Sequence, residues 1–386
     1  MYKRTHVFAA ACAGIFLFGM VLIVYGSIMP ALTEKFAPLG FDAGIPASIL
    51  PAGILAGALV FGPVVDRYGY KLLLIFSILI CAVAVAGLAF AESVSLLYIC
   101  IFFAGFGGGI INGGTSSLVA DISSENKGAN LSLLGVFFGI GALGLPLLLG
   151  VLSKQFTYSA ILGAVSVFMV LTVFYFIATK FPLPKHTQGF PLKAGIKLLK
   201  EPALLLTSFF LFFQSAAELL TSNWTTSFLQ AKLKIDNEDA LYALSFNVAG
   251  LTVARLLLGW LLKKTSSFTI QLFSLLTIVC GYLLLIYSGS YAIAIAALVI
   301  IGAGLAAGFP VILGYIGQLY TNLSGTAFSI AFTIALAGNT LLNYIFGIIA
   351  KNYSITYLPL MILGCAACMI ILLFLIKRNI DSKVKM

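Results

Sequence analysis

Apolar residues run along this chain in long blocks rather than in alternation. Twelve blocks come near the ~20 residues that a helix needs to cross the hydrocarbon of a bilayer. They fall at 7–29, 43–65, 70–91, 95–120, 128–152, 156–179, 203–230, 238–262, 268–288, 291–318, 325–350 and 355–377. The first follows Lys3 and Arg4 and is too long for the core of a cleavable signal, so it reads as a span. The longest hydrophilic interval, 180–202, divides the pattern into 1–179 and 203–386. The expected fold is an all-α membrane protein, with two six-helix bundles joined by a cytoplasmic linker.

One block departs from the rest. Phe209 to Gln230 reads FFLFFQSAAELLTSNWTTSFLQ, with Glu218 near its centre. A carboxyl group at that depth costs about 2.5–3.5 kcal/mol on insertion scales, so it persists facing a bundle interior or a wet cavity. Gln214 lies four residues before it, Thr221 and Ser222 three and four after, and Thr225 seven after. At about 3.6 residues per turn these form one stripe, while Phe209, Leu211, Phe213 and Leu220 look elsewhere. Two readings follow. Either a neutral glutamate hydrogen-bonds a neighbouring helix for structure alone, or the helix lines a solute pathway and Glu218 binds solute or carries a proton.

Composition excludes the soluble classes. The 386 residues are 61% hydrophobic and 9% charged, against about 25% charged in a soluble domain. The net charge of +10 is spread over short loops, which signals topology and not a nucleic-acid surface. With both termini in the cytoplasm, 17 of the 22 Lys and Arg residues lie on or near that side, and Lys35, Lys154, Lys232, Lys234 and Lys351 lie opposite. The six cysteines sit in apolar segments, and Cys365 and Cys368 form a CxxC with no histidine or acid beside it. His6 and His186 lie outside the spans, and no Ser/His or His/Asp constellation falls within them. The expectation is a non-enzyme without cofactor or metal, embedded as a monomer in the plasma (inner) membrane.

The halves echo each other at a constant separation of 197 residues. Gly128 and Ser132 match Gly325 and Ser329; Gly141, Gly150 and Lys154 match Gly338, Gly347 and Lys351. The same separation pairs Gly105 and Gly107 with Gly302 and Gly304, and Gly62 with Gly259. Two parallel six-helix repeats resemble the major facilitator superfamily, in which substrate binds near the midplane between the halves.

The loop after the second block strengthens the resemblance. Gly62-Pro63-Val64-Val65-Asp66-Arg67-Tyr68-Gly69-Tyr70-Lys71 is similar to that superfamily's Gly-x-x-x-Asp-Arg-x-Gly-Arg-Lys signature, with Tyr70 in place of the usual arginine. The resemblance implies that Asp66, Arg67 and Lys71 bias a cytoplasmic gate, Asp66 pairing with a cation or capping a helix. The second copy, Gly259-Trp260-Leu261-Leu262-Lys263, has lost the acid. Arg255 is expected to pair with a loop carboxylate on the same side.

Three further stretches resemble the fucose/glucose–galactose permease branch: Ala129-Asn130 ahead of Phe137-Phe138-Gly139-Ile140-Gly141, Ala217-Glu218, and Gly250 to Arg255. Proton-coupled members of that branch carry an acid in the first span, whereas here that span offers Tyr25 and Ser27. Glu218 then takes the proton role, or coupling is to another ion such as Na+, or transport is uncoupled.

Other polar groups complete the candidate site. Asn112, Thr115 and Ser116 share a face of the fourth span, and Asn339 and Asn343 one of the eleventh. With Asn130, Gln214, Asn223, Asn247, Tyr315 and Tyr25 they offer hydrogen bonds to a solute, and Trp224 offers either an aromatic platform or an interfacial anchor. Amides, hydroxyls and one aromatic face suit a sugar or similar small polar solute. The 32 phenylalanines leave open a drug-efflux transporter of the same fold.

Overall fold

The computed structural model describes residues 2–36, 38, 44–124, 126–153, 155–185 and 192–384. Position 43, where the second predicted span begins, Lys154 and His186 lie outside the described residues. Fourteen α-helices carry almost all of the rest. They are α1 (Arg4–Phe36), α2 (Gly44–Tyr68), α3 (Tyr70–Phe90), α4 (Val94–Ile122), α5 (Lys127–Leu152), α6 (Tyr158–Ala178) and the short α7 (Leu192–Leu198). Then follow α8 (Pro202–Leu233), α9 (Asn237–Leu261), α10 (Ser267–Tyr287), α11 (Tyr291–Leu305), α12 (Gly308–Leu319), α13 (Ser324–Asn352) and α14 (Leu358–Val384).

Twelve stretches among the described residues are long and apolar enough to cross a membrane, and they coincide with the hydrophobic blocks. One block behaves differently. The stretch expected as a single helix over 291–318 is broken at Ala306 and Ala307. Pro310 has no N–H to offer the Ala306 carbonyl, and its ring crowds that carbonyl, which is sufficient to interrupt the ladder.

Helix ends are set by local chemistry that recurs in both halves. Ser93 and Ser290, 197 residues apart, cap α4 and α11 by accepting the N–H groups of Leu96 and Ile293. Lys35 donates to the Ala91 carbonyl at 2.7 Å, and Lys232, again 197 residues on, donates to that of Leu285 at 2.6 Å. In each repeat a lysine near the end of the first span thus satisfies carbonyls left open at the end of the third. The one-residue turn between α2 and α3 requires Gly69, whose φ is +79°.

The chain forms two compact units. Unit 1 comprises Met1–Ser124, Leu134–Ile196 and Tyr320–Ile330; unit 2 comprises Glu125–Leu133, Lys197–Leu319 and Ala331–Met386. Two helices are thereby divided, α5 after Leu133 and α13 after Ile330. In unit 1, α2 lies along α4, and their backbones meet through glycine. A Cβ on Gly53 would fall 2.3 Å from the Phe102 carbonyl oxygen, and one on Gly105 2.4 Å from that of Leu50. Unit 2 repeats the seam between α9 and α11: a Cβ on Gly250 would fall 2.4 Å from the Val299 oxygen, and one on Gly302 2.0 Å from that of Asn247. Such small-residue contacts suit helices that associate in lipid, where packing and not water exclusion drives association. The outer surfaces carry exposed Phe76, Val83, Val151 and Phe273, which a bilayer tolerates and water would not.

Candidate functional site

The site begins on α8, whose polar stripe is divided by its neighbours. Gln214, Thr221 and Thr225 are fully buried, while Glu218 is half-buried and Ser222 exposed. Thr221 shares a 2.6 Å hydrogen bond with the hydroxyl of Tyr282 on α10 and so belongs to the bundle's packing. Gln214 Nε2 donates to Glu218 Oε1 at 2.9 Å, one turn along, and to the Leu305 carbonyl at 3.0 Å, where α11 ends. The Arg255 guanidinium, on α9, lies within electrostatic reach of Glu218. The expected partner of Arg255 is a loop carboxylate; among the described residues the acid whose charge reaches it is Glu218. Arg255 is only 8% exposed, and a guanidinium in a bundle interior is costly without an opposite charge close by.

A second group stands six residues further along α8, about 9 Å at 1.5 Å per residue. Asn343 Oδ1 accepts from Trp224 Nε1 at 3.2 Å and from Asn223 Nδ2 at 3.4 Å. Its own Nδ2 donates to the Asn339 carbonyl at 3.0 Å. The Trp224 ring meets Phe346 edge-on, with centroids 5.1 Å apart. Asn223 is exposed, and Trp224, Asn339 and Asn343 are half-buried. Two amides and an indole are therefore gathered by α8 and α13 within unit 2.

The remaining candidates are placed elsewhere in their units. Asn247 is buried and donates to the Leu298 carbonyl at 3.0 Å, which commits its amide to the α9–α11 seam. Tyr315 lies against Leu258, Ile270, Ala307 and Val311. Asn130 is half-buried in the part of α5 that belongs to unit 2. In unit 1, Asn112 is half-buried on α4, Thr115 turns its hydroxyl back to the Ile111 carbonyl at 2.7 Å, and the buried Tyr25 donates to Met29 Sδ at 2.9 Å.

The residues expected at the gate separate in the same way. Asp66 is fully buried and caps the first turn of α13, accepting from Gly325 N at 3.1 Å, Thr326 N at 2.8 Å and Thr326 Oγ1 at 2.6 Å. A carboxylate at a helix N-terminus meets orphan N–H groups and the positive end of the dipole together. Of the two chemistries expected for Asp66, helix capping is the one these contacts display. Gly62 makes room for it: a Cβ there would lie 2.5 Å from the Gly325 oxygen. Lys71 instead donates to the Ile177 carbonyl at 2.6 Å, near the end of α6, and Arg67 lies over the neighbouring Tyr68 ring.

Sequence reasoning missed the groups around this cap. Lys185 Nζ sits 2.7 Å from Asp121 Oδ2 and donates to the Thr321 carbonyl at 2.6 Å and to Ser324 Oγ at 2.5 Å. The Tyr70 hydroxyl also donates to Asp121 and lies 2.9 Å from Ser117 Oγ, itself 3.2 Å from Ser324 Oγ. The available signal was Tyr70, the position at which the signature loop departs from its pattern.

Known proteins carry the same architecture. The family model of the Major Facilitator Superfamily matches residues 11–342. The glucose/mannose transporter GlcP of Bacillus subtilis is 23% identical over 361 residues, covering 90% of this chain and 88% of that one. The class H tetracycline resistance protein of Pasteurella multocida is 24% identical over 360 residues, covering 86% and 85%. A crystal structure of the E. coli fucose:proton symporter FucP superposes with a TM-score of 0.81 at 17% identity, over 96% of this chain and 98% of that one. The twelve spans make this a multi-pass membrane protein, and the family model, extending across both repeats, settles its kinship: the chain belongs to the Major Facilitator Superfamily.

Proposed function

We propose that this chain is a secondary active transporter that moves a sugar, or a similar small polar solute, by alternating access, with Glu218 as its proton carrier. The observation that carries the reading is the polar lining of α8. A carboxylate is held by Gln214 and faced by Arg255, and two amides and an indole stand about 9 Å beyond it. A sugar presents hydroxyls around its rim and C–H groups on its faces. Asn223, Asn339 and Asn343 serve the first, and Trp224 the second. Asn112, Asn130, Tyr315 and Tyr25 are the further hydrogen-bonding candidates. Likeness to a glucose/mannose transporter and to a fucose:proton symporter supports both solute class and coupling ion.

The mechanism divides between the two regions. With the pathway open outward, Glu218 takes a proton and the solute binds. With it open inward, both are released, and the carboxylate returns to Arg255 and Gln214. Asp66 holds the first turn of α13 in one access state and must release it in the other. Arg67 and Lys71 add to the cytoplasmic bias. The positive-inside pattern supports a cytoplasmic position for both termini and the linker, and the reading has the protein act as a monomer in the plasma (inner) membrane. The domains 1–179 and 203–386 supply the two repeats that rock about the site.

Counterflow in proteoliposomes tests this reading. Loaded and external sugars from a hexose and pentose panel are exchanged, then net uptake is measured under an imposed pH or sodium gradient. The expected result is saturable exchange of one sugar class and accumulation driven by pH alone. Acceleration by sodium would replace the proton as coupling ion. The tetracycline-resistance relative favours one rival, efflux of amphipathic compounds. Tight binding of lipophilic compounds, with no response to any sugar, would establish it.

A further inference from the structure

The α11–α12 break and Glu218 are joined by one side chain. Gln214 is fully buried, and the two N–H groups of its amide have different acceptors, Glu218 on α8 and the Leu305 carbonyl on α11. Its Oε1 is buried without a partner among the described residues. Gly308 supplies the seat: a Cβ there would fall 2.1 Å from the amide carbon, so any larger residue would drive the amide out. Pro310 breaks the helix at this place, and Gln214 satisfies one of the carbonyls at the break.

The charge state of Glu218 decides how firmly this arrangement holds. A hydrogen bond to an ionised carboxylate is roughly twice as strong as a neutral one. A neutral carboxyl carries an O–H that needs an acceptor, and the unused Oε1 of Gln214 is the nearest of that kind on its own helix. Turning the amide over would exchange Nε2 for Oε1 at a point 2.9 Å from Glu218 and 3.0 Å from the Leu305 oxygen. The turned amide accepts from the carboxyl and faces Leu305 with oxygen against oxygen. One orientation closes the break; the other repels it.

We propose that Gln214 is a positioning residue that couples protonation of Glu218 to the α11–α12 break, clamping it while the carboxylate is ionised and loosening it once the proton is bound. The inference rests on the proposal that Glu218 carries the proton. Arg255 on α9 is the charged group facing Glu218. Of the other helices packed against α8, α10, α11 and α12 carry no Asp, Glu, Lys, Arg or His, α13 carries Lys351 in its last turn, and α14 is free of them as far as Lys377; Tyr282 on α10 is engaged by Thr221.

Hydrogen exchange and transport together test it on the full-length protein in liposomes. In the wild type, amides flanking the break, around 303–311, should show protection factors, corrected for the intrinsic pH dependence of exchange, about fivefold lower at low pH than at high pH, as expected when a charge-assisted bond becomes a neutral one. Glu218→Gln, a permanent neutral mimic, should show the low protection at both values. Gln214→Leu should remove the pH response of exchange and flatten the pH profile of uptake. Gly308→Ala should act in the same direction and serves if Gln214→Leu does not fold. Should Gln214→Leu and Gly308→Ala keep the wild-type exchange and pH profiles while Glu218→Gln loses them, the clamp is wrong and the proton role of Glu218 survives. Full concentrative uptake in Glu218→Gln would overturn the role of Glu218, and the clamp with it.

Discussion

The two repeats place the same helices in the same order, yet they differ where α1 meets α4 and where α8 meets α11 and α12. In unit 1 the faces are apolar: Leu17 and Val21 are buried, Val21 and Phe18 lie against Gly108, and α4 runs unbroken from Val94 to Ile122. In unit 2 the residues 197 positions later are Gln214 and Glu218, and the fourth span of the repeat is interrupted. Gly113 in the first half stands where Pro310 does in the second. One frame, held by matching glycine seams and matching caps, therefore carries a tightly packed contact in one copy and a charged, interrupted contact in the other. The comparison teaches that the repeated positions build the scaffold, while the unrepeated ones carry the polar contacts on which the proposed chemistry rests.

The largest expected effect comes from exchanging the two characters. Glu218→Gln should abolish accumulation of solute against a gradient while counterflow persists, measured as steady-state uptake with and without an imposed pH difference. Val21→Glu should do harm of another kind. It puts a carboxyl into an apolar contact without a Gln214 or Arg255 beside it, at a cost of about 2.5–3.5 kcal/mol on insertion scales. Yield of folded protein and its melting temperature should fall. If Val21→Glu restored accumulation in the Glu218→Gln background, the two contacts would be interchangeable and the asymmetry without functional weight.

How much of this was legible in the chain follows from the same distinction. Twelve spans and the repeat could be read directly, because apolar block length and glycine at a constant spacing survive without knowledge of contacts. Glu218 and its turn-mate Gln214 were legible too, since a helical period places them together. The nearness of Arg255 to Glu218 was not legible, because the two stand on different helices and span order gives no pairing between helices. Asn247 looked like a solute ligand because composition cannot tell an amide facing a cavity from one bonded to the Leu298 carbonyl. The break at Ala306 was available in Pro310 but hidden by unbroken hydrophobicity.

A second pair of substitutions probes that break. Pro310→Ala should let α11 and α12 join, raising thermal stability and slowing turnover several-fold by stiffening the hinge. Gly113→Pro, its counterpart in α4, should instead destabilise by about 3 kcal/mol, the usual cost of proline within a helix. Equal transport by Pro310→Ala and the wild type would show that the break is incidental.

The gate supplies a smaller expected effect. Asp66 has no acidic counterpart, because the position 197 residues on is Lys263. Asp66→Asn keeps the size of the side chain but replaces a charged acceptor of three hydrogen bonds by an amide, at a cost of about 1–3 kcal/mol to that capped state. Turnover should change by about tenfold, following from that shift in state populations, with solute affinity within a few-fold of wild type. A large loss of affinity at unchanged turnover would contradict a gating role.

The smallest expected effect concerns Lys185, and it isolates what the departure at Tyr70 means. The signature carries an arginine there, which would bring its own positive charge to Asp121. Here a tyrosine supplies only a hydroxyl, and the charge comes from the linker through Lys185, which also binds the Thr321 carbonyl and Ser324 Oγ. Asp121 keeps the Tyr70 hydroxyl as a second donor when the lysine is removed, so Lys185→Met alone should alter turnover by only a few-fold. Tyr70→Arg should restore it in that background by returning a cation to Asp121, and should add little in the wild type. A double-mutant cycle on initial uptake rates reads this coupling directly. Independent, additive effects of the two substitutions would mean that the linker lysine and the altered signature residue do not share one task.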